Sequence, residues 1–172
     1  MRQSKPILFG AICVGLILPR FMIAAETSTP REMLAQFVAE LQKAPEDQAL
    51  RERIIRLELT LAPLPAVPEV AQQLFSKATF FEREAGSMQG NDALALSARG
   101  FAISSYKEAL LIAPWWPEAY YGLSTSLEAS GRLNEAVTAL NLYVVTRPNS
   151  VGASDAEERL RAIAAKRDRA RP

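Results

Sequence analysis

The chain has 172 residues, 49% of them hydrophobic and 23% charged, a composition typical of one globular domain or a short array of repeats. Its 20 basic and 19 acidic side chains nearly balance, which argues against a broad nucleic-acid-binding surface. The sequence has no histidine and one cysteine, Cys13, so imidazole general-base chemistry, Ser-His or Cys-His nucleophile pairs and His/Cys metal sites are excluded.

Residues 1–25 predict a signal for export. Arg2 and Lys5 supply the positive start, residues 6–18 form an apolar run, and small residues at 24 and 25 offer a cleavage site. The run is shorter than the roughly 20 apolar residues that span a bilayer, which favours a cleaved signal. The alternative is a permanent membrane anchor lengthened by residues 21–25. Cleavage after Ala25 would leave a mature chain without cysteine, and we expect it in the periplasm or outside the cell.

A pair of amphipathic helices is predicted within residues 26–62. Thr29 and Glu32 are expected to form a capping box at the start of the first helix, and Pro45 ends it. Asp47 is the expected cap of the second helix. We interpret the pair as degenerate repeats. The apolar stripes are Leu34, Phe37, Val38 and Leu41 in the first helix and Leu50, Ile54, Leu57 and Leu61 in the second.

The second helix also carries apolar residues on another face, at Ile55 and Leu59. We therefore expect it to be covered on more than one side, as a helix in the middle of a stack is. Its charged residues are interpreted as a solvated face with intrahelical pairs, and they are Arg51, Glu52, Arg53, Arg56 and Glu58.

Residues 63–68 contain three prolines and predict a stiff, extended linker. A third helix is expected to begin at Glu69, and a long fourth helix follows with Asn91 or Asp92 as its cap. Gly100 interrupts the fourth helical pattern. The glycine predicts either a kink at that position or a shorter helix that begins near Phe101.

Three pairs of residues recur at an offset of 34 positions: Ala102 and Ala136, Tyr106 and Leu140, and Pro114 and Pro148. A fixed offset of about 34 residues is the period of helix-turn-helix repeats. Residues 117–150 resemble the tetratricopeptide repeat, whose pattern is W-x2-L-G-x2-Y, then A-x3-F, then P. The matching residues are Tyr120, Leu123, Ser124, Leu127, Ala136, Leu140 and Pro148, and the half-copy before them has Ala102, Tyr106 and Pro114.

The resemblance implies an all-α fold, a short solenoid of tetratricopeptide-like helical hairpins over residues 69–150, with 117–150 as its best repeat. The matching residues would pack the two helices of each hairpin together. Residues 151–172 predict a capping helix with a basic tail, begun by a capping box of Ser154 and Glu157. The basic residues at the C-terminal end of this helix either complement the helix dipole or contact an anionic surface. They are Lys166, Arg167, Arg169 and Arg171.

Tetratricopeptide arrays bind protein segments in a groove lined by the first helix of each repeat. The resemblance therefore implies Glu118, Tyr121, Thr125, Glu128 and Ala129 as partner-binding candidates. Tyr121 is the foremost candidate because aromatic residues supply much of the energy of interface hot spots, and its alternative role is packing against a neighbouring repeat. Trp115 and Trp116, between two prolines, either form an exposed ridge or fill the junction between repeats, which we favour.

These patterns predict an exported, non-enzymatic adaptor that holds a protein partner in its groove, without metal, cofactor or nucleic acid. Neighbouring carboxylates such as Glu157 and Glu158 do not face one another on a helix, so they predict no acid-base pair. One alternative is a membrane-tethered subunit or assembly factor of a cell-envelope complex, with membrane contact only through an uncleaved N-terminal segment. A second alternative is a helical protein that binds a small molecule in the groove.

Overall fold

The computed structural model describes residues 28–88, 90–148 and 150–169, and these residues form helices and loops without a β-strand. The predicted all-α class is confirmed. The predicted export signal, residues 1–25, and Arg171 of the basic tail lie outside the described residues. The helices are α1 Pro30–Lys43, α2 Gln48–Glu58, α3 Glu69–Ser87, α4 Asp92–Ile112, α5 Pro117–Ala129, α6 Leu133–Thr146 and α7 Val151–Arg169.

Three helices begin where local side-chain chemistry predicts. At α1, the Thr29 hydroxyl accepts the backbone N–H of Glu32 at 3.3 Å, and the Glu32 carboxylate accepts the N–H of Thr29 at 2.8 Å. Asp47 before α2 and Asn91 before α4 each accept the backbone N–H three residues later, at 2.9 and 3.2 Å. These bonds satisfy donors that have no partner in the first turn, so the predicted capping box and caps are confirmed.

The start of α7 differs from the prediction. The Ser150 hydroxyl accepts the backbone N–H of Ala153 at 3.1 Å and so takes the capping role. α7 therefore begins at Val151, three residues before Ser154, which lies exposed inside the helix. The predicted capping box at Ser154 is wrong because a competing hydroxyl stands one turn earlier.

From α3 onward the helices pack in chain order. α3 lies against α4, α4 against α5, α5 against α6 and α6 against α7, and α3 also contacts α5. Alanines at 78, 102 and 136 are fully buried, and small side chains let helices approach closely. The larger side chains form one continuous apolar core, which includes Ile103, Tyr106, Leu110, Tyr120, Leu127, Leu140 and Ile163.

The hairpin of α1 and α2 lies across this row of helices, with α1 against α4 and α2 against α6. Leu111 and Trp115, at the end of α4, pack onto its apolar stripes. Ile55, on the other face of α2, joins the main core. α2 is thus covered on a second side at Ile55, as predicted, but Leu59 on the same face is 43% exposed. The neighbours of α2 are α1 and α6 rather than the next helix of a linear stack. The buried members of the hairpin cluster are Leu34, Leu41, Leu50 and Ile54.

A proline after α4 explains how α2 is attached. Pro114 has no N–H, so the carbonyl of Leu110 lacks its usual helical donor. The Arg51 guanidinium donates to that carbonyl at 3.2 Å and to the Pro45 carbonyl at 2.7 Å. The Tyr120 hydroxyl donates to the Pro114 carbonyl at 2.8 Å, and burial raises the pKa of Tyr120 to about 12. These hydrogen bonds therefore join α2, α4 and α5 around the turn that follows α4.

The charges of α2 only partly form the predicted solvated face. Arg56 and Glu52 make an intrahelical ion pair at 3.9 Å, and the Arg53 guanidinium lies 4.6 Å from the centroid of an aromatic ring of α1. Arg51, however, donates to two backbone carbonyls, and Glu58 is only 6% exposed. The solvated face is wrong for Glu58, because the packing of α2 covers this side chain, and Arg51 is half-buried with its guanidinium bonded to backbone carbonyls.

Two helical glycines differ in what surrounds them. A Cβ on Gly122 of α5 would lie 2.6 Å from the hydroxyl oxygen of Tyr106, whose side chain is 1% exposed. A Cβ on Gly100 of α4 would meet no described atom within 4 Å. α4 also continues through Gly100, so the alternative of a helix that begins near Phe101 is wrong. Gly122 is therefore the glycine on which the contact between α4 and α5 depends.

We predict that Gly122→Ala lowers the free energy of unfolding by about 1–3 kcal/mol, because the added Cβ would overlap the Tyr106 ring, whose hydroxyl is held by Glu82. Gly100→Ala is the matched control and should raise the free energy of unfolding by about 0.5–1 kcal/mol, since alanine favours a helix over glycine. Urea denaturation measures both changes. Equal stabilisation by the two alanines would contradict the packing of Tyr106 on Gly122.

Candidate binding groove

A groove of about 640 Å³ lies between α3, α5 and α7. These helices alternate along the chain with α4 and α6, which pack behind them. Tyr106, Tyr143 and Arg147 complete the lining from α4 and from the end of α6. The lining from α3, α5 and α7 includes Phe75, Glu82, Glu118, Tyr121, Thr125 and Asp155.

A carboxylate on α3 joins three helices at the groove. The Tyr106 hydroxyl of α4 donates to Glu82 Oε2 at 2.9 Å, and the Ser126 hydroxyl of α5 donates to Glu82 Oε1 at 3.3 Å. Burial, the charge on Glu82 and the hydrogen bond to it all raise the pKa of Tyr106, so this tyrosine stays protonated and remains a donor. Both oxygens of Glu82 are therefore engaged in holding the helices together.

Aromatic rings line the groove on two sides. Phe75 of α3 packs edge-on against Tyr106, with ring centroids 5.5 Å apart, and lies 4.6 Å from the ring of Trp116. On α5, the ring of Tyr121 lies 5.6 Å from that of Tyr143 and remains 44% exposed. The groove thus offers apolar ring surface on elements whose backbones are held by helix packing.

Charged side chains lie at the rim. Arg147 Nη2 lies 3.2 Å from Glu118 Oε1, and both side chains are more than half exposed, so this ion pair adds little to stability. Asp155 on α7 is exposed and lines the same groove. A bound partner would therefore meet charges of both signs around the aromatic rings.

Three of the five partner-binding candidates line the groove, one contacts α7 and one does neither. Glu118, Tyr121 and Thr125 line the groove, whereas Glu128 and Ala129 are not among its lining residues. Ala129 is exposed at the end of α5. Glu128 is a partner of α7, where its carboxylate lies 3.0 Å from Arg159 and 3.8 Å from Lys166.

Arg159 of α7 also touches two of the groove candidates. Its guanidinium donates to the Thr125 hydroxyl at 3.1 Å and lies 5.1 Å from the centroid of Tyr121. The ion pair with Glu128 has only a quarter of each side chain exposed. One face of α5 therefore both lines the groove and holds α7, so Tyr121 packs against a neighbouring helix as well as facing open space.

The predicted packing residues lie mainly in the core. Pro148 is exposed. The other eight are buried, and they are Ala102, Tyr106, Pro114, Tyr120, Leu123, Leu127, Ala136 and Leu140.

The two tryptophans are each partly buried. Trp115 packs on the α1–α2 cluster, and its buried Nε1 has no hydrogen-bond partner among the described residues. Trp116 packs on the main core, against α3 through Phe75.

Sequence reasoning missed the groove residues outside α5. Phe75 and Glu82 lie on α3, Tyr143 and Arg147 lie at the end of α6, and Asp155 lies on α7. The amphipathic patterns of α3 and α7 do not indicate which of their side chains face α5. No single-helix pattern indicates that Tyr143 reaches the groove from a second helix.

Some kinds of site receive no support from the described part of the chain. Across residues 28–88, 90–148 and 150–169, no group of three or more acidic or cysteine side chains is placed to hold a metal ion. None of the helices in these ranges is long and apolar enough to cross a membrane.

Comparison with known proteins gives no relative for this chain. No protein-family model, curated protein or solved structure matches it.

Glu58 of α2 is a buried carboxyl that responds to pH. Burial raises the pKa of Glu58, and the charge of Arg147 opposes that rise. Below the ordinary value of 4.5 this group is protonated in both states, so its contribution to stability is fully present and does not change with pH. As the pH rises above 4.5 the unfolded chain loses this proton first, so the contribution of Glu58 to the free energy of unfolding falls.

We predict that Glu58→Gln raises the melting temperature at pH 7.5 and has little effect at pH 4, because the glutamine needs no ionisation in its buried position. The exposed Glu158→Gln variant is the control and should follow the wild type at both pH values. Thermal unfolding followed by circular dichroism provides the measurement. A lower melting temperature for Glu58→Gln at pH 7.5 would show that Arg147 outweighs the burial of the carboxylate.

Proposed function

We propose that this chain is an exported, non-enzymatic adaptor built as a short tetratricopeptide-like solenoid, which binds a segment of a protein partner in the groove of α3, α5 and α7. The observation that carries the proposal is the shared lining of that groove. Three helices that alternate with α4 and α6 along the chain contribute aromatic and charged side chains to one open surface. The export part rests on the apolar, positively started segment of residues 1–25.

The packing order supports a repeat of two helices. α3 pairs with α4 and α5 pairs with α6, while the contact of α3 with α5 joins the first helices of consecutive pairs. Tyr106 and Leu140, which are 34 residues apart, are equivalent in the repeat pattern and are 1% and 0% exposed. This pair is therefore buried in both hairpins, whereas the pair Pro114 and Pro148, at the same offset, is buried only at Pro114. α7 would then cover the last hairpin as a capping helix.

The chemistry of the groove favours a protein segment as ligand. Half-exposed aromatic rings such as Tyr121 are the side chains that most often anchor protein interfaces. The charges of Glu118, Arg147 and Asp155 around the rings would set the direction and register of a bound segment. The two hydrogen bonds accepted by Glu82 favour a structural role for this carboxylate of the groove.

The proposal predicts that affinity capture from the producing cells recovers a partner with wild-type protein and loses it with Tyr121→Ala. Loss of a hot-spot ring should reduce the recovered partner by about tenfold or more. Leu64→Ala is the matched control, because Leu64 is a 59% exposed apolar residue of the 63–68 linker and does not line the groove. Circular dichroism of both variants checks that the helices remain folded.

The capture experiment has a clear negative outcome. Recovery of the same polypeptides in equal amounts with wild type, Tyr121→Ala and Leu64→Ala would contradict binding in the groove.

A further inference from the structure

A second cavity lies on the opposite face of α5 from the groove. Its volume is about 290 Å³, and it is bordered by α4, α5, α6 and the start of α2. Tyr120, Leu123 and Leu127 face this cavity, whereas Tyr121 and Thr125 face the groove. The helical repeat of 3.6 residues separates the two sets onto different sides of the same helix. The cavity is therefore independent of the groove.

The inner wall of this cavity is almost wholly apolar. None of its main side chains is more than 7% exposed, although all of them border the empty space. The cavity opens to solvent where charged and polar side chains border it, and no described side chain fills it. The wall consists of Leu110, Tyr120, Leu123, Leu127, Ala139 and Leu142.

The mouth of the cavity carries cations that are only partly engaged. Arg51 uses its guanidinium to donate to the carbonyls of Pro45 and Leu110, and a guanidinium has five N–H donors in all. Within the described ranges Lys107 makes one ion pair, with Nζ 3.3 Å from Glu135 Oε2, and its side chain is 39% exposed. Both cations thus retain donor capacity beside the apolar wall.

Glu135 does not depend on Lys107 for its neutralisation. Arg132 donates to both oxygens of Glu135, at 2.7 and 2.6 Å, and this bond is the main cause of the lowered pKa of Glu135. Lys107 can therefore turn to an anionic ligand without leaving a carboxylate unpaired. Glu46, the other acidic residue at the mouth, lies exposed in the turn before α2.

We propose that the cavity between α2, α4 and α6 is a binding site for a small amphipathic carboxylate. The apolar part of the ligand lies on the leucine wall, and its carboxylate receives hydrogen bonds from Arg51 and Lys107 at the mouth. A cavity of this size, mostly apolar with a few convergent polar groups, has the composition of small-molecule sites in proteins. Arginine is suited to the task because its planar group matches a carboxylate.

The volume limits the length of the ligand. A water molecule occupies about 30 Å³ of liquid, and a methylene group is of similar size, so the cavity holds roughly ten non-hydrogen atoms. Octanoate has that size and is the probe of choice. Acetate has the same head group without the chain, and octylamine has the same chain with the opposite charge. Comparing the three compounds separates the contribution of the apolar wall to binding from the contribution of the cations at the mouth.

The test is isothermal titration calorimetry of the purified protein with each compound. Octanoate is expected to bind saturably at one site, and acetate and octylamine are expected to give no saturable heat. Lys107→Met should weaken octanoate binding by about tenfold, the loss of one charge-assisted hydrogen bond. Lys77→Met, an exposed lysine of α3 outside the cavity, is the matched control and should bind as the wild type does.

Two further variants test where the aliphatic chain of octanoate lies. Ala139→Leu places a larger side chain in the wall and should abolish binding of octanoate, whereas Tyr121→Ala, in the groove, should leave it unchanged. If Ala139→Leu fails to fold, Lys107→Met still tests octanoate binding in this cavity, because the side chain of Lys107 is partly exposed and its replacement leaves the core intact.

The proposal would be overturned if octanoate gave no saturable heat up to about 10 mM, or if octylamine bound as tightly as octanoate. It would also be overturned if Lys77→Met weakened octanoate binding as much as Lys107→Met does, or if Tyr121→Ala abolished octanoate binding.

Discussion

The Tyr106 ring lies against Gly122, and this contact holds α4 close to α5. The same side chain donates its hydroxyl to Glu82 on α3, which also accepts the Ser126 hydroxyl of α5. One buried tyrosine therefore links three helices. Because Tyr106 also lines the groove, the shape of that surface depends on the contact that stabilises the fold. A substitution that moved this ring would change stability and groove together, whereas Tyr121 can be altered with less effect on the core.

A second constraint comes from Pro114, which leaves the Leu110 carbonyl without a helical donor. Arg51 supplies that donor from α2 and so brings the N-terminal hairpin against α4 and α6. This placement forms the mouth of the apolar cavity, since Arg51 is one of its lining residues. α5 then separates two surfaces of different character. One is an open groove with aromatic rings and charges, and the other is a half-open cavity with an apolar inner wall and charged side chains at its mouth.

The sequence predicted local features well and long-range ones poorly. The caps at Thr29, Asp47 and Asn91 follow from bonds that reach three residues, so the neighbouring sequence is enough to predict them. Arg51 reaches a carbonyl 59 positions away, and no helical period indicates that bond. The groove residues were likewise predicted only in part from the sequence. A single-repeat pattern led to α5, but Glu82, Tyr143 and Asp155 come from three other helices, and their convergence depends on tertiary packing.

The central claim is that the groove of α3, α5 and α7 is the surface that meets a protein partner. Photo-crosslinking inside the producing cells tests it most directly, with the crosslinking amino acid placed at Asp155 in the groove or at Arg161 elsewhere on α7. Both positions are exposed and belong to one helix, so differences in folding or export affect them equally. The proposal predicts one dominant adduct at 155 and none at 161. The same adducts at both positions, or none at 155, would contradict it.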